Sequence, residues 1–232
     1  MRILIISDIH GNKEAIEAIN EDVDYVFFLG DVVNYGPDPH FAIDFIKAHG
    51  NYVVKGNHDQ AVAYNANCKC CQSFRKIAEA TKEFTIKTLS NEKMEYLRFL
   101  PVSEKIDLPG TDFFLVHALP SNPLYKYINP DDKEALREEA EYIRTGIIFL
   151  GHTHFQWQRK IGSTTFVSPG SVGMSKDTPG FANYAIWEDG NILLRKTSYD
   201  IDTTLSKVDK MPVASEIREE IKLAFRTGKT AG

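Results

Sequence analysis

Short apolar runs, each ending at a polar residue, recur along the chain and are its main structural signal. Five such runs are followed within a few positions by a residue able to bind a metal ion. Runs this short, apolar at successive rather than alternate positions, are typical of strands buried on both faces. The sequence therefore predicts strands at residues 3–6, 25–29, 52–54, 113–116 and 147–150.

Between these strands, apolar residues recur at helical spacing. The pattern predicts helices at residues 12–20, 39–48 and 130–144, and one or two more within 72–99. Alternating strands and helices indicate an α/β fold, in which ligands gather at the carboxyl ends of the strands. After residue 155 the pattern favours strands that we expect to form a second, more antiparallel sheet, at 156–161, 164–168, 181–187 and 191–198.

The composition is that of an ordinary globular protein. Hydrophobic residues make up 43% of the 232 residues, which is enough for a normal core. The length suits one domain with a short appendage. We expect a domain over residues 1–205, followed by a segment, 206–232, whose amphipathic helix packs on or extends that domain.

Charge and hydropathy exclude several classes of partner. The net charge of −5 argues against a broad basic surface for nucleic acids. No apolar run approaches the ~18 residues of a membrane helix, and the run at 3–6 is too short for a signal peptide. We expect a cytoplasmic protein that acts on a small molecule and has no membrane partner. The sequence leaves open whether the protein forms a homo-oligomer.

Three cysteines lie close together in the sequence, at Cys68, Cys70 and Cys71. Their odd number and crowding do not suit a secreted disulfide framework. No histidine is near them along the chain, so we expect inert thiols rather than a metal site.

Metal-binding residue types concentrate at the ends of the predicted strands. A single histidine there is more often a core residue, but the repeated pairing of strand and donor favours a metal site. The candidate donors are Asp8, His10, Asp31, Asn57, His117, His152 and His154, and His58 is a further histidine beside Asp59.

The seven donors supply nitrogen and oxygen but no thiolate. They are too many for one tetrahedral ion and suit two ions if one carboxylate bridges them. Imidazole mixed with carboxylate favours two divalent transition-metal ions, Mn or Fe first and Zn, Ni or Co as alternatives. Two such ions outweigh two carboxylates, and the remaining positive charge suits an anionic substrate such as a phosphate ester.

The ordered motifs resemble those of the calcineurin-like metallophosphoesterase superfamily. They are Asp8-Ile9-His10, Gly30-Asp31, Gly56-Asn57-His58-Asp59, His117 and Gly151-His152-Thr153-His154. Residues 168–173 also resemble a Pro-Gly-Ser segment of the smaller bacterial and archaeal members. The resemblance implies a four-layer αββα sandwich of two mixed β-sheets flanked by helices, with a dinuclear metal site at the carboxyl ends of the strands.

The resemblance also implies a role for each motif residue. One ion would be bound by Asp8, His10 and His154, the other by Asn57, His117 and His152, with Asp31 bridging both. His58 would face the leaving-group oxygen and protonate it, and Asp59 would orient the imidazole of His58. Hydroxide activated by the two metals would attack phosphorus in line, without a covalent intermediate.

The sequence departs from the protein Ser/Thr phosphatases of this superfamily. Asn34-Tyr35 stands where those enzymes carry aspartate and arginine, and Lys55 stands where they carry arginine. Lysine does not replace the planar guanidinium fork that grips a phosphate dianion. We therefore expect a phosphodiester or nucleotide-type substrate, with Tyr35 and Tyr125 offering ring faces to a base. The alternatives are a dinucleoside polyphosphate hydrolase, a phosphoprotein phosphatase and, less favoured, a non-catalytic scaffold of the same fold.

Overall fold

The structure, a computed structural model, describes residues 1–231. Gly232, the last residue of the expected C-terminal segment, lies outside the described residues. The strands are β1 (Arg2–Ile6), β2 (Tyr25–Phe28), β3 (Tyr52–Val53), β4 (Ser103–Leu108), β5 (Thr111–Val116), β6 (Ile147–Phe149), β7 (Gln156–Ile161), β8 (Thr164–Pro169), β9 (Phe181–Glu188) and β10 (Asn191–Ser198). The helices are α1 (Lys13–Glu17), α2 (Pro39–His49), α3 (Asn57–Tyr64), α4 (Arg75–Thr88), α5 (Asn91–Phe99), α6 (Lys133–Tyr142), α7 (Ile201–Val208) and α8 (Ser215–Thr227).

The strands form two five-stranded sheets, in the orders β10-β9-β1-β2-β3 and β4-β5-β6-β8-β7. Within each sheet the three strands β1, β2 and β3, or β5, β6 and β8, pair in parallel, and the remaining pairs are antiparallel. Both sheets are therefore mixed. The expectation that the last four strands form a sheet of their own is wrong, because β9 pairs with β1 and β8 pairs with β6.

The two sheets pack face to face, with helices outside. Along β1 the side chains alternate, as a period of two requires. Ile3 and Ile5 join the core between the sheets, whereas Leu4 and Ile6 join the layer that contains α1 and α2. On the far side of the second sheet, α6 packs through Leu136. The four-layer αββα sandwich predicted from the motifs is confirmed.

A separate apolar cluster packs the C-terminal helices against the middle of the chain. Side chains of α7 and α8 share one apolar cluster with Ile77 and Ala78 of α4. The expected boundary at residue 205 falls inside α7, and the division into domain and appendage stays a prediction. None of the helices within residues 1–231 is both long and apolar enough to cross a bilayer.

The sequence pattern does not predict helix α3, because its first turn carries motif residues instead of an apolar stripe. The helix begins at Asn57, and the carboxylate of Asp59 accepts a hydrogen bond from the backbone N–H of Gly56 at 3.0 Å. Such a bond satisfies a donor at the amino end of a helix. The helix thus brings three consecutive motif residues to the strand ends.

Replacing Phe27 by alanine tests the core between the sheets. Phe27 is fully buried, and its ring centroid lies 5.6 Å from that of Phe113 in the opposite sheet. We expect Phe27→Ala to lower the free energy of unfolding by about 3–5 kcal/mol, because it leaves a cavity that rigid sheets close poorly. Urea unfolding measures this change. Phe99→Ala is the matched control, since Phe99 is 81% exposed and the expected change is below about 0.5 kcal/mol.

Candidate metal centre

All predicted site residues lie close together at the carboxyl ends of the parallel strands of both sheets. Each is at most 5% exposed. The sequence positions after β1, β2, β5 and β6 and the first turn of α3 supply them: Asp8, His10, Asp31, Asn57, His58, Asp59, His117, His152 and His154. The structure therefore brings together residues that are more than half the chain apart, such as Asp8 and His154.

Left-handed backbone turns the donors away from their strands. Five of the donor residues have a backbone φ between +49° and +67°, a region that residues other than glycine rarely adopt: Asp8, His10, Asp31, His152 and His154. Each such residue costs on the order of 1–3 kcal/mol and persists only where its surroundings enforce it. Strain is thus concentrated at the candidate site.

Asp8, His10 and His154 form a first cluster of donor atoms. The Nε2 atoms of His10 and His154 lie 3.1 Å apart, and His154 Nε2 lies 3.2 Å from Asp8 Oδ1. The other ring nitrogens contact the backbone carbonyls of Val33 and Met174 at 3.1 and 2.8 Å. Because carbonyls only accept hydrogen bonds, each Nδ1 carries the hydrogen, and the Nε2 lone pairs face each other and the carboxylate. These three residues form a group that could hold one metal ion.

Asn57, His117 and His152 form a second cluster. Asn57 Oδ1 lies 2.9 Å from His117 Nε2 and 3.1 Å from His152 Nδ1. The amide is oriented by its Nδ2, which donates to the Cys68 carbonyl at 2.8 Å. His117 Nδ1 donates to the Leu29 carbonyl at 2.7 Å, and its Nε2 faces Asn57. The three donor atoms converge on one point.

Asp31 lies between the two clusters. Its Oδ2 is 3.2 Å from His117 Nε2 and 3.9 Å from His10 Nε2, so one oxygen faces both groups. Its Oδ1 accepts a hydrogen bond from the backbone N–H of His58 at 2.8 Å. Donor atoms of Asp31, Asp8 and His117 all lie within 4.8 Å of one another. This is the position that a bridging ligand requires.

The electrostatics of the site also suit cations. Burial lowers the pKa of His10 and of His152 to about 3, so both imidazoles are neutral at pH 7. At His117 burial acts in the same direction, but the carboxylates of Asp31 and Asp8 prevail and raise its pKa to about 9. Within residues 1–231, Asp8 Oδ1 and His152 Nε2 have no hydrogen-bond partner. A buried site whose carboxylates raise the pKa of an imidazole, and in which Asp8 Oδ1 lacks a partner, fits divalent metal ions.

Asp59 has a different role from the one implied by the motifs. Its oxygens accept hydrogen bonds from the backbone N–H groups of Asp31, Val32, Val33 and Gly56, at 2.8–3.3 Å. Burial and the nearby Asp31 carboxylate raise the pKa of Asp59 to about 7, and the amide hydrogen bonds oppose that rise. The expectation that Asp59 orients His58 is wrong, because Asp59 instead secures the backbone that carries Asp31.

The imidazole of His58 is oriented by two residues of the loop after Asp31. Asn34 Nδ2 lies 2.7 Å from His58 Nδ1, and the Tyr35 hydroxyl lies 3.2 Å from His58 Nε2. Asn34 Nδ2 also donates to the Ala78 carbonyl, which defines the orientation of the amide. Asn34 therefore donates to Nδ1, and the hydrogen of the neutral ring is on Nε2. Burial lowers the pKa of His58 to about 4 and favours this neutral form.

Of the two tyrosines expected to stack on a base, Tyr35 is buried and Tyr125 has a lysine over its ring. Tyr35 is 2% exposed, and its ring packs against His10 and His58. Tyr125 is half-buried, with the Lys69 ammonium 4.4 Å from its ring centroid. Tyr127, two positions further, is 44% exposed and stacks on His152 at 4.0 Å. The aromatic residue at the centre is therefore Tyr127, which no sequence motif marks.

The cysteines lie closer to the site than the sequence suggests. The thiols of Cys68 and Cys70 and a ring nitrogen of His58 lie within 4.8 Å of one another. No histidine is near these thiols along the sequence, but His58 is near them in the fold. The loop before α4 lies against the first turn of α3 and brings the thiols there. Cys68 and Cys70 are buried, whereas Cys71 is exposed.

A small cavity of about 10 Å³ opens onto the donor clusters. Its walls include Asp31, His58, His152 and His154, and also Tyr127 and Lys176. Lys176 is the one lysine or arginine lining it in the part of the chain that the structure describes. The sequence offers no signal for Lys176, since it follows the 168–173 segment without a motif of its own.

The segment at residues 168–173 forms hydrogen bonds with the backbone of Asp8. The Ser171 hydroxyl and the Gly173 N–H donate to the Asp8 carbonyl at 2.8 and 2.9 Å. At Gly151 an added Cβ would lie 2.6 Å from Asp8 Oδ2, so only glycine permits this close approach. These contacts help to enforce the left-handed backbone at Asp8.

Comparison with known proteins agrees with this geometry. The model of the calcineurin-like phosphoesterase superfamily domain matches residues 1–189. The chain belongs to the calcineurin-like phosphoesterase superfamily. Members of this superfamily typically bind divalent metals, and the Asp and His clusters of this phosphoesterase-family chain are groups that could bind them.

Three relatives cover nearly the whole chain. A metallophosphoesterase from Sphaerobacter thermophilus is 27% identical, with a TM-score of 0.79 over 95% of this chain and 98% of its own. The uncharacterized protein MJ0912 of Methanocaldococcus jannaschii is 28% identical over 244 residues, 95% of this chain and 97% of the relative. The hypothetical protein PH1004 of Pyrococcus horikoshii OT3 is 19% identical and shares the fold, with a TM-score of 0.81 over 99% of both chains.

The substitution Asp59→Asn tests the corrected role of Asp59. An amide offers one acceptor oxygen where the carboxylate offers two, and its N–H₂ group would face backbone N–H donors. We expect the free energy of unfolding to fall by about 2–4 kcal/mol and metal affinity to fall with it. Urea unfolding and metal titration measure the two effects.

Asp107→Asn serves as the control, because Asp107 is exposed on β4 and its carboxylate lies outside the site. Asp59→Asn could instead keep the stability and the metal affinity of the parent and slow only the reaction of substrates with poor leaving groups. That result would support the role in which Asp59 orients the imidazole of His58.

Proposed function

We propose that this protein is a hydrolase that cleaves a phosphodiester or a nucleotide-type phosphate ester or anhydride with the help of two divalent transition-metal ions. The observation that carries the proposal is the convergence of seven donors into two clusters that share Asp31. The intact set of donors favours an enzyme over a non-catalytic scaffold of the same fold.

In this proposal the donors divide between two ions. Asp8, His10 and His154 bind one ion, Asn57, His117 and His152 bind the other, and Asp31 binds both. The ions supply Lewis acidity and lower the pKa of water towards neutrality. The protein supplies the fixed geometry, since carbonyl groups and Cys68 orient the imidazoles and the amide.

His58 acts on the leaving-group oxygen. Asn34 donates to Nδ1, so the ring offers its Nε2–H, which the Tyr35 hydroxyl accepts in this structure. Because burial favours the neutral ring, His58 contributes a hydrogen bond to the departing oxygen rather than a stored proton. Asn34 is the positioning residue for that bond, and the Tyr35 hydroxyl has to release the Nε2–H when the leaving-group oxygen accepts it.

The charge around the cavity favours an ester with one negative charge at phosphorus. Lys176 is the one cationic side chain at the cavity wall among residues 1–231, and no guanidinium fork is present there. A phosphomonoester dianion is gripped best by paired arginines. A diester or an internal phosphate of a polyphosphate needs less positive charge.

Metal content and turnover test the proposal together. Protein reconstituted with Mn²⁺ should bind more than one equivalent and hydrolyse a nucleotide-type diester with a higher kcat/KM than a phosphoserine peptide. Asp31→Asn should lower both the stoichiometry and the rate, because it removes a ligand charge that faces both clusters. Elemental analysis and phosphate release at equal pH and Mn²⁺ measure these quantities.

Full occupancy and full rate in Asp31→Asn would rule out the shared ligand. A tenfold preference for the phosphopeptide, which corresponds to about 1.4 kcal/mol in transition-state binding, would support a phosphoprotein phosphatase instead. Metal binding without turnover of any ester would indicate a scaffold.

Removal of His58 tests the leaving-group role. His58→Ala should bind metal normally and lose on the order of 10²–10³-fold in kcat with an alkyl leaving group, the effect of removing one preorganised donor. The loss should shrink with a p-nitrophenyl leaving group, because its oxygen needs little stabilisation.

His40→Ala is the matched control, since His40 is an exposed histidine on α2. An equal loss for good and poor leaving groups would contradict the role of His58, and loss of a metal equivalent would make His58 a ligand.

A further inference from the structure

A groove of about 420 Å³ adjoins the metal-centre cavity. Cys71, Tyr127 and Lys176 line both, so these three side chains stand between the groove and the cavity. Beyond the shared residues the groove is lined chiefly by Ile128, Pro130, Phe155 and Trp157. A space of this size lies within the usual range for a small-molecule site.

The walls of this groove are aromatic and only partly covered. Phe155 is 47% exposed and Tyr127 is 44% exposed, although large aromatic side chains are usually buried. Trp157 is buried apart from a 6% exposed fraction, and its Nε1 donor finds no hydrogen-bond partner within residues 1–231. Flat apolar walls suit a planar heteroaromatic group, which offers a ring face to the aromatic side chains.

A cation lies where the groove meets the metal-centre cavity. Lys176 contacts the ring of Phe74, with its ammonium 5.2 Å from the ring centroid, and forms no ion pair among residues 1–231. Asp177 also lines the groove, but its oxygens accept hydrogen bonds from Gln156, Ser175 and Asn183. The ammonium group of Lys176 therefore lies between the groove and the donor clusters. An anionic group of a bound ligand fits at that position.

We propose that the groove is the subsite for the nucleobase of a nucleotide substrate, whose phosphate groups pass Lys176 to reach the metal centre. The proposal rests on the proposed function and narrows its substrate class. Tyr127 stacks on the metal-side residue His152 and lines the groove, so it forms the wall between the reacting phosphate and the base. Phe155 and Trp157 would contact the base itself.

Tryptophan fluorescence tests the subsite without any turnover. The chain has two tryptophans, so Trp187→Phe leaves Trp157 as the single reporter. The protein is loaded with Zn²⁺, which does not quench fluorescence, and titrated with adenosine 5′-monophosphate or ribose 5-phosphate. We expect a saturable change with the nucleotide alone, because the sugar phosphate lacks the base.

Two phenylalanine variants provide the matched comparison. Phe155→Ala should weaken binding of adenosine 5′-monophosphate by about 3- to 10-fold, the value of one aromatic contact, and leave ribose 5-phosphate unaffected. Phe99→Ala removes another exposed phenylalanine side chain, from α5, and should change neither affinity. Lys176→Met should weaken both phosphates but not adenosine.

Calorimetric titration of the unmodified chain and of the variants measures the ribose 5-phosphate affinities, and it replaces the fluorescence measurement if Trp187→Phe does not fold. Equal affinities for the nucleotide and the sugar phosphate, unchanged by Phe155→Ala, would overturn the subsite even if diesters are hydrolysed. Base-dependent binding without hydrolysis would instead contradict the proposed function, so the two failures are distinguishable.

Discussion

Two carboxylates, Asp8 and Asp31, have to be kept ionised and close together in a space that excludes water. Charges buried in this way are tolerated only with partners of opposite charge or with abundant hydrogen bonds. The neighbouring imidazoles hold the pKa of both carboxyl groups below their ordinary values although burial opposes this. The same negative field raises the pKa of His117, which shows how strongly the site favours positive charge.

Much of the surrounding architecture serves to hold these two groups. Asp59 collects four backbone N–H groups around the turn that carries Asp31. On the other side, the segment after β8 hydrogen-bonds to the Asp8 carbonyl through Ser171 and Gly173. These contacts offset the cost of left-handed backbone at the strand ends. Rigidity at the centre therefore comes from backbone contacts more than from the donors themselves.

The environment changes within a short distance from the donors to the groove. Around Asp31 the walls are polar and fully buried, whereas around Phe155 and Trp157 they are aromatic and partly exposed. Lys176 and Tyr127 lie at the transition between the two. Such a division separates the part of a site that performs chemistry from the part that selects a substrate, and loops outside the motifs form the second part.

The sequence by itself determined nine of the ten strands and the set of candidate donors, because burial on both faces and the residue after each strand are local properties. Strand β4 was not predicted, and the αββα class followed from the resemblance of the ordered motifs to a known superfamily. The tertiary structure alone decided which sheet the last four strands join, since β9 pairs with β1 across most of the chain. It also decided that Asn34 and Tyr35, not Asp59, contact the His58 ring, and that Tyr127 and Lys176 line the cavity. Such neighbours depend on how separate loops fold back in space, and no periodicity along the chain encodes that distance.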